Sequence, residues 1–275
     1  MTVRNINQSF WSSKQLPYLT VRSTFHSRQS YKQHSHSELS LGLIMQGTTC
    51  LSMDGETLIL NQASGVFIQP HKVHACNPVR NHPRSYLMLY LDNQWCCDIL
   101  SALYGYSVDK FVCDIRLVSA SKTLALSVLL NELIENERPE QALKVESLLF
   151  ELICGHCSPQ RVEASDTLCA TLKKRLLADI TNPPSLKDLA LELDRSQEGL
   201  IRHFKQHFGI TPKAFVNNHR IEKAKLLLKS GINIVDVAIE VGFSDQSQLH
   251  RAFVNYAACT PRQYQHLTSI FDNNF

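Results

Sequence analysis

The feature that most constrains this chain is an internal repeat in its C-terminal part. Ser185-Leu-Lys-Asp-Leu-Ala-Leu-Glu-Leu193 is followed by Asp194-Arg195, then by Ser196 to Phe208. Asn233-Ile-Val-Asp-Val-Ala-Ile-Glu-Val241 is followed by Gly242-Phe243, then by Ser244 to Tyr256. Each copy opens on a residue that caps helices well, Ser185 or Asn233. Each carries a small residue, Ala190 or Ala238, where two helices can cross closely. Ser196 and Ser244 are placed to cap a second helix. Within it Leu200 and Phe204, or Leu249 and Phe253, lie four apart on one face. The spacing predicts two helix-turn-helix units.

Between them Thr211-Pro212 starts a longer helix, with Pro in its first turn. It runs to Ser230, and Gly231 closes it. Some 18 residues give a rod of roughly 27 Å. That length suits two recognition helices held about one DNA turn, roughly 34 Å, apart. The net charge is +3, and all of the excess lies in residues 165–275, with 14 Lys and Arg against 11 Asp and Glu. Such an imbalance favours phosphate contact weakly.

Residues about 167–265 resemble the AraC/XylS family of regulators. The resemblance rests on Leu186-Lys-Asp-Leu-Ala190, Leu200-Ile-Arg-His-Phe-Lys205, Phe208-Gly-Ile-Thr-Pro212 and Arg220-Ile221 with Ala224 and Leu227-Leu228. Ile234 to Phe243, Gln248-Leu-His-Arg-Ala-Phe253 and Thr260-Pro261 with Tyr264 complete it. It implies sequence-specific binding to double-stranded DNA. Glu198, Ile201 and Arg202 would meet base edges in the first unit. Gln246, Ser247, His250 and Arg251 would do so in the second. Arg pairs well with guanine and Gln with adenine, while Lys205 and the helix-start amides suit phosphates. There are departures. Gly199 weakens a helix interior by about 1 kcal/mol, and Ile201 can offer only an apolar contact. Val254 replaces a basic residue. At Ala257-Ala258-Cys259 either Ala258 takes positive φ or the turn differs.

The first half reads differently. From about residue 18 to 115 short apolar runs alternate with turn signals such as Asp54-Gly55, so a barrel or sandwich is expected. From about 121 to 157 two apolar stripes, broken at Asn136-Glu-Arg-Pro139, predict a helical hairpin. It serves either to pack on the β-domain or to form a dimer interface. Tyr31-Lys-Gln-His-Ser-His36, Gly47, Gly65 and Pro70-His-Lys-Val-His-Ala-Cys-Asn-Pro78 resemble the cupin-type domain of such regulators. That resemblance implies effector binding inside a barrel.

His34 and His36 share a strand face, and His74 can join them from a neighbouring strand. Three imidazoles suit Zn²⁺, Fe²⁺ or Ni²⁺. The acidic ligand of metal-binding cupins would fall at Ser40 or Leu41, however, while Glu38 lies near, on the His36 face. The expectation is an effector-contacting set of His34, His36, Glu38 and His74 with no metal or other cofactor. A metal on His34, His36 and His74 is the alternative. Nine cysteines are expected as free thiols, mostly buried. Cys154-Gly-His-Cys157 leaves thiol or metal sensing open beside that.

The expected architecture is α+β in two domains. A cupin-like effector-binding and dimerisation domain (1–157) leads through a linker (158–166) to an all-α DNA-binding domain (167–275). No apolar run suits a membrane span or signal peptide, so a cytoplasmic chain is expected. No nucleophile elbow or phosphate-binding Gly loop suggests an enzyme, a cupin metalloenzyme being a distant alternative. The expected partners are DNA, a small effector, a second copy of the chain and, for an activator, RNA polymerase.

Overall fold

A computed structural model describes residues 8–160, 167–257 and 259–265. Most of the expected linker, and the backbone of Ala258, lie outside them. The N-terminal part comprises β1 (Gln8–Ser12), β2 (Leu19–Ser27), β3 (Leu39–Gln46), β4 (Thr49–Met53), β5 (Glu56–Leu60), β6 (Gly65–Ile68), β7 (His74–Pro78) and β8 (Arg84–Leu91). After these come α1 (Asn93–Tyr104), β9 (Phe111–Cys113), α2 (Ala120–Glu135), α3 (Pro139–His156) and β10 (Cys157–Pro159).

One sheet runs β1-β2-β8-β3-β6 and a second β5-β4-β7. The two are not closed into a barrel, so the expected β-domain takes the more open form of a cupin-like sandwich. Strand alternation divides the first sheet's faces. Leu39, Leu41 and Leu43 of β3, with Leu87, Leu89 and Leu91 of β8, pack against α1–α3. Ile44, Val66, Ile68 and Tyr86 turn the other way and meet Leu51, Met53 and Leu60. Central β3 is therefore buried on both faces, which is why it reads as a continuous apolar run.

The hairpin of α2 and α3 forms on the expected stripes, with Leu126, Leu130, Leu133, Val145, Leu149 and Leu152 fully buried. Sequence reading passed over α1, although Asp92 accepts the Trp95 amide at its start and Gly105 closes it with φ of 74°. Cys113 and Cys157 correct the expectation of free thiols. Antiparallel β9 and β10 set them directly opposite, with Cα atoms 4.4 Å apart, and they form a disulfide. Cys50, Cys76, Cys96, Cys97, Cys154 and Cys259 keep free thiols, and Cys96 and Cys97 of α1 pack into the main core. Ser158 and Pro159, expected in the linker, belong to β10. The ladder continues into a Gln160 amide bond to the Lys110 carbonyl.

Beyond residue 166 stand α4 (Thr167–Ala178), α5 (Leu186–Glu192), α6 (Gln197–Phe208), α7 (Pro212–Lys229), α8 (Ile234–Glu240) and α9 (Gln246–Ala257). The first unit closes on Leu172, Leu176, Leu189, Leu200, Phe204 and Phe215. The second closes on Ile221, Leu228, Val237, Leu249, Phe253 and Tyr264, joined by Phe10 of β1. No described helix is long and apolar enough to cross a membrane.

Candidate nucleic-acid interface and interior site

Both helix-turn-helix units are built by the same hydrogen bonds. Ser185 caps α5 through the Asp188 amide, and Asn233 caps α8 through the Asp236 amide. At each turn one residue takes positive φ, Asp194 at 48° and Gly242 at 86°. The following amide then returns to the alanine carbonyl, Arg195 to Ala190 at 3.0 Å and Phe243 to Ala238 at 2.9 Å. Gly242 is needed for space as well, since a Cβ there would lie 2.5 Å from Thr181 Cα.

The second helices start differently. Ser196 accepts the Gly199 amide at 3.0 Å, as expected. Ser244 does not cap α9. Asp245 accepts the Gln248 amide at 2.8 Å, and the Ser244 hydroxyl donates to Asp245. The cause is one extra residue in the second turn. Ala190 and Ala238 lie 48 apart in sequence, whereas Leu200 and Leu249 lie 49 apart. Gly199 sits in the first turn of α6 rather than its interior, and a Cβ there would come 2.9 Å from the capping Ser196 Oγ. Glycine at this point spares the cap, so the expected interior cost does not apply.

Leu200 and Phe204, and Leu249 and Phe253, face inward and are buried. The opposite faces are open. Glu198, Arg202 and Lys205 are exposed on α6 and Ile201 is half-buried beside them; Gln246, Ser247, His250 and Arg251 are exposed on α9. Each set follows helical spacing along one outward row. Superposing the caps pairs Ile201 with His250 and Arg202 with Arg251. It also pairs Gln246 with Gln197, an exposed residue that sequence reading missed. Counting from the caps would have found it.

Helix α7 spans 18 residues, capped by Thr211 and closed through Gly231 at φ of 80°. Arg220 on α7 donates to the Ile180 and Thr181 carbonyls at 2.6 and 3.1 Å. Its guanidinium also lies 5.5 Å from the Phe243 ring centre. One side chain thus ties the loop after α4 to the second unit.

The histidines meet in the sandwich. His34 and His74 pair backbone to backbone, with N···O distances of 3.0 and 2.8 Å. Their ring centres lie 4.6 Å apart, and His36 lies 4.8 Å from His34. All three are buried. A carbonyl only accepts, so His34 Nδ1–H donates to Lys32 O at 2.8 Å and His74 Nδ1–H to Lys72 O at 2.9 Å. In the neutral rings each Nε2 then keeps its lone pair. Burial pushes His34 and His36 well below the ordinary imidazole range, and neighbouring imidazoles add to this. Burial also lowers His74 to about 4. One donor nitrogen from each ring lies within 4.8 Å of the others, an arrangement able to hold a metal ion. Glu38 is not in this group. It accepts from the Ser37 hydroxyl and faces a cleft toward α7 with His36.

The histidine loop docks on α7. Asn218, buried, accepts the Ser35 amide at 3.1 Å and donates to the Ser35 carbonyl and hydroxyl at 3.0 and 3.1 Å. The Lys32 amide donates to the Asn255 carbonyl of α9 at 3.2 Å.

Comparison with known proteins agrees with both halves. Residues 189–266 match the helix-turn-helix domain family, and residues 16–153 match the AraC-like ligand binding domain family. The HTH-type transcriptional regulator YbfI of Bacillus subtilis is 26% identical over 80% of this chain and 82% of its own. The HTH-type transcriptional activator RhaR of Escherichia coli is 32% identical over 40% of this chain and 39% of its own. Among solved structures, ToxT from Vibrio cholerae O395 shares the fold with a TM-score of 0.57 at 16% identity, covering 92% of this chain and 98% of ToxT. With half its length matched by the ligand-binding family and the two helix-turn-helix units behind it, the chain belongs to the AraC-type family of transcriptional regulators.

Proposed function

We propose that this chain is a transcription activator whose DNA binding is controlled by a small molecule held in its N-terminal domain. Its two recognition helices, α6 and α9, enter successive major-groove segments on one DNA face. The observation that carries this is the pair of outward polar rows, each backed by a buried Leu–Phe pair. Arg202 and Arg251 read guanine, Gln246 and Gln197 suit adenine, and Ser247, His250 and Glu198 are less selective. Ile201 touches a thymine methyl, and Lys205 meets phosphate. The test is binding of the full chain to DNA flanking its own gene at several salt concentrations. Arg202→Ala and Arg251→Ala should each cost about 1–3 kcal/mol on the preferred site and little on random DNA. Equal loss on both DNAs would reject base reading by these residues.

The domain scheme supports control by a ligand. A sensor that extends through β10 to residue 160 and a DNA-binding domain from residue 167 meet where the histidine loop touches α7. A ligand favouring one packing of that contact shifts the population that binds DNA. An activator also contacts RNA polymerase, and a cytoplasmic homodimer formed through α2 and α3 fits the apolar side chains those helices expose. A metal-responsive form of the same regulator is favoured by the three converging imidazoles. The metal content of the purified full chain and its zinc affinity decide that; no uptake by wild type beyond that of His74→Gln rejects it.

A further inference from the structure

The disulfide between Cys113 and Cys157 lies where the sensor passes the chain on toward the DNA-binding domain. Its place follows from the ladder of β9 and β10. The Asp114 amide donates to the His156 carbonyl at 2.8 Å, and the Gln160 amide to the Lys110 carbonyl at 2.9 Å. Antiparallel bonding alternates, so Cys113 and Cys157 occupy a non-hydrogen-bonded pair, where side chains come closest. Their Cα atoms are 4.4 Å apart. The ladder sets that separation with or without the covalent bond, so two thiols here stay face to face and can join again.

The two strands are held unequally. β9 is anchored in the sensor. Phe111 is buried in the main core, and Val118, a few residues on, donates its amide to the Gly65 carbonyl of β6 at 2.9 Å. β10 has little anchorage of its own. Past Cys157, Ser158 and Gln160 are exposed and Pro159 is half-buried, and a two-stranded ribbon this short is marginal by itself. The bond at Cys157 therefore decides how firmly the strand leading toward α4 is fastened. It also joins residues 44 apart in sequence, one before α2 and one after α3.

Access differs as well. Cys113 is half-buried and precedes exposed residues from Asp114 to Leu117, whereas Cys157 is only 4% exposed. A small thiolate meets the Cys113 sulfur first. Three thiols elsewhere are poorly suited to such chemistry. Burial pushes Cys76 up to about 11 and Cys96 and Cys259 up to about 12, so they form little thiolate.

We propose that Cys113 and Cys157 are a reversible redox couple through which low-molecular-weight thiols and disulfides control the fastening of β10. This goes beyond control by a bound ligand. It rests on the reading of the chain as a cytoplasmic regulator, since disulfides in that compartment are mostly transient and redox-sensing. In reduction a thiolate attacks Cys113 Sγ, the bond to Cys157 Sγ breaks, and Cys157 leaves as a thiolate and takes a proton. A second thiolate attacks the small-molecule sulfur of the mixed disulfide and releases Cys113, which is protonated likewise. One protein disulfide becomes two thiols while two small thiols become one disulfide. Once reduced, β10 is held by its ladder alone, and the chain toward α4 gains freedom.

The experiment equilibrates the full chain near neutral pH in glutathione buffers from wholly reduced to wholly oxidised. Alkylation and mass measurement read the state of the pair. Half conversion should fall inside the series for wild type and for Cys154→Ser, while Cys113→Ser and Cys157→Ser form no such bond. Amide exchange across β10 should be about tenfold or more faster in reduced wild type, with far-UV circular dichroism unchanged. A pair that stays oxidised throughout is a fixed staple, and a pair that stays reduced never forms; either overturns the couple. Loss of the conversion in Cys154→Ser assigns it to another cysteine and overturns it too, and equal exchange of β10 in both states overturns the fastening. DNA affinity on the same samples separates this from the regulator reading. A difference of about threefold or more between the two states of wild type, absent in Cys113→Ser, supports redox control of DNA binding, and equal affinity overturns that control. A chain that prefers no DNA in either state tells against the regulator reading and leaves the couple standing.

Discussion

His74 shows how one buried side chain makes stability depend on pH. Its ring is out of water and Arg22 is close enough to oppose a second positive charge, and together these outweigh the Nδ1–H bond to the Lys72 carbonyl, which favours the protonated ring. Folded His74 therefore holds no proton until about pH 4, whereas in the unfolded chain it takes one near pH 6.5. Between those values the unfolded state binds more protons. The stability contributed is complete above about pH 6.5 and is lost as pH falls toward 4. For His74 alone the span corresponds to roughly 3 kcal/mol, and His34 and His36 act in the same direction. The urea midpoint should fall steeply from pH 6.5 to pH 4.5, and His74→Gln should flatten that slope. An unchanged slope in the variant would mean that other groups control acid unfolding.

At the scale of elements, the two helix-turn-helix units differ by a single inserted residue, and the capping hydrogen bonds reveal where it lies. Ser196 holds the start of α6, and Asp245, not Ser244, holds the start of α9. A lost cap costs about 1 kcal/mol, so Ser196→Ala and Asp245→Ala should each lower unfolding stability by that amount in chemical denaturation. Ser244→Ala should stay within about 0.5 kcal/mol of wild type. A larger loss from Ser244→Ala than from Asp245→Ala would overturn the assignment. The extra residue delays the start of α9 relative to α6, so equivalent outward-facing positions are found by counting from the caps.

For the whole molecule, the outer faces of α2 and α3 carry an apolar set that the fold leaves unused. Leu124, Val128, Leu143 and Phe150 are between 45% and 62% exposed, on the helices whose other faces fill the main core. A second copy of the chain that covers them buries apolar surface at about 25 cal/mol per Å². Val128→Glu with Leu143→Glu should convert a dimer to a monomer in sedimentation, with little change in the thermal transition of each protomer. A wild type that sediments as a monomer at micromolar concentration would reject this interface. The clamp of Asn218 on Ser35 works at the same scale, since it places the histidine loop against α7.

Local patterns in the amino-acid sequence were enough to determine the two helix-turn-helix units, the spacer between them, the helical hairpin and a β-rich first half. Each depends on short-range physics: a cap beside its helix, apolar residues one turn apart, a glycine where φ is positive. The shared strand face of His34 and His36 was legible for the same reason. His74 was expected to join them from a neighbouring strand, but the register that pairs it, like other partners distant in sequence, was not legible. The pairing of His34 with His74, the disulfide between Cys113 and Cys157, and Phe10 packing into the second helix-turn-helix core all depend on strand register and domain docking. The cap at Asp245 escaped because one inserted residue shifts the repeat without breaking its apolar pattern. Cys113 and Cys157, on either side of the hairpin, looked like ordinary thiols. Only the tertiary structure set them opposite each other where β10 leaves the sensor, because strand register is a property of the assembled chain.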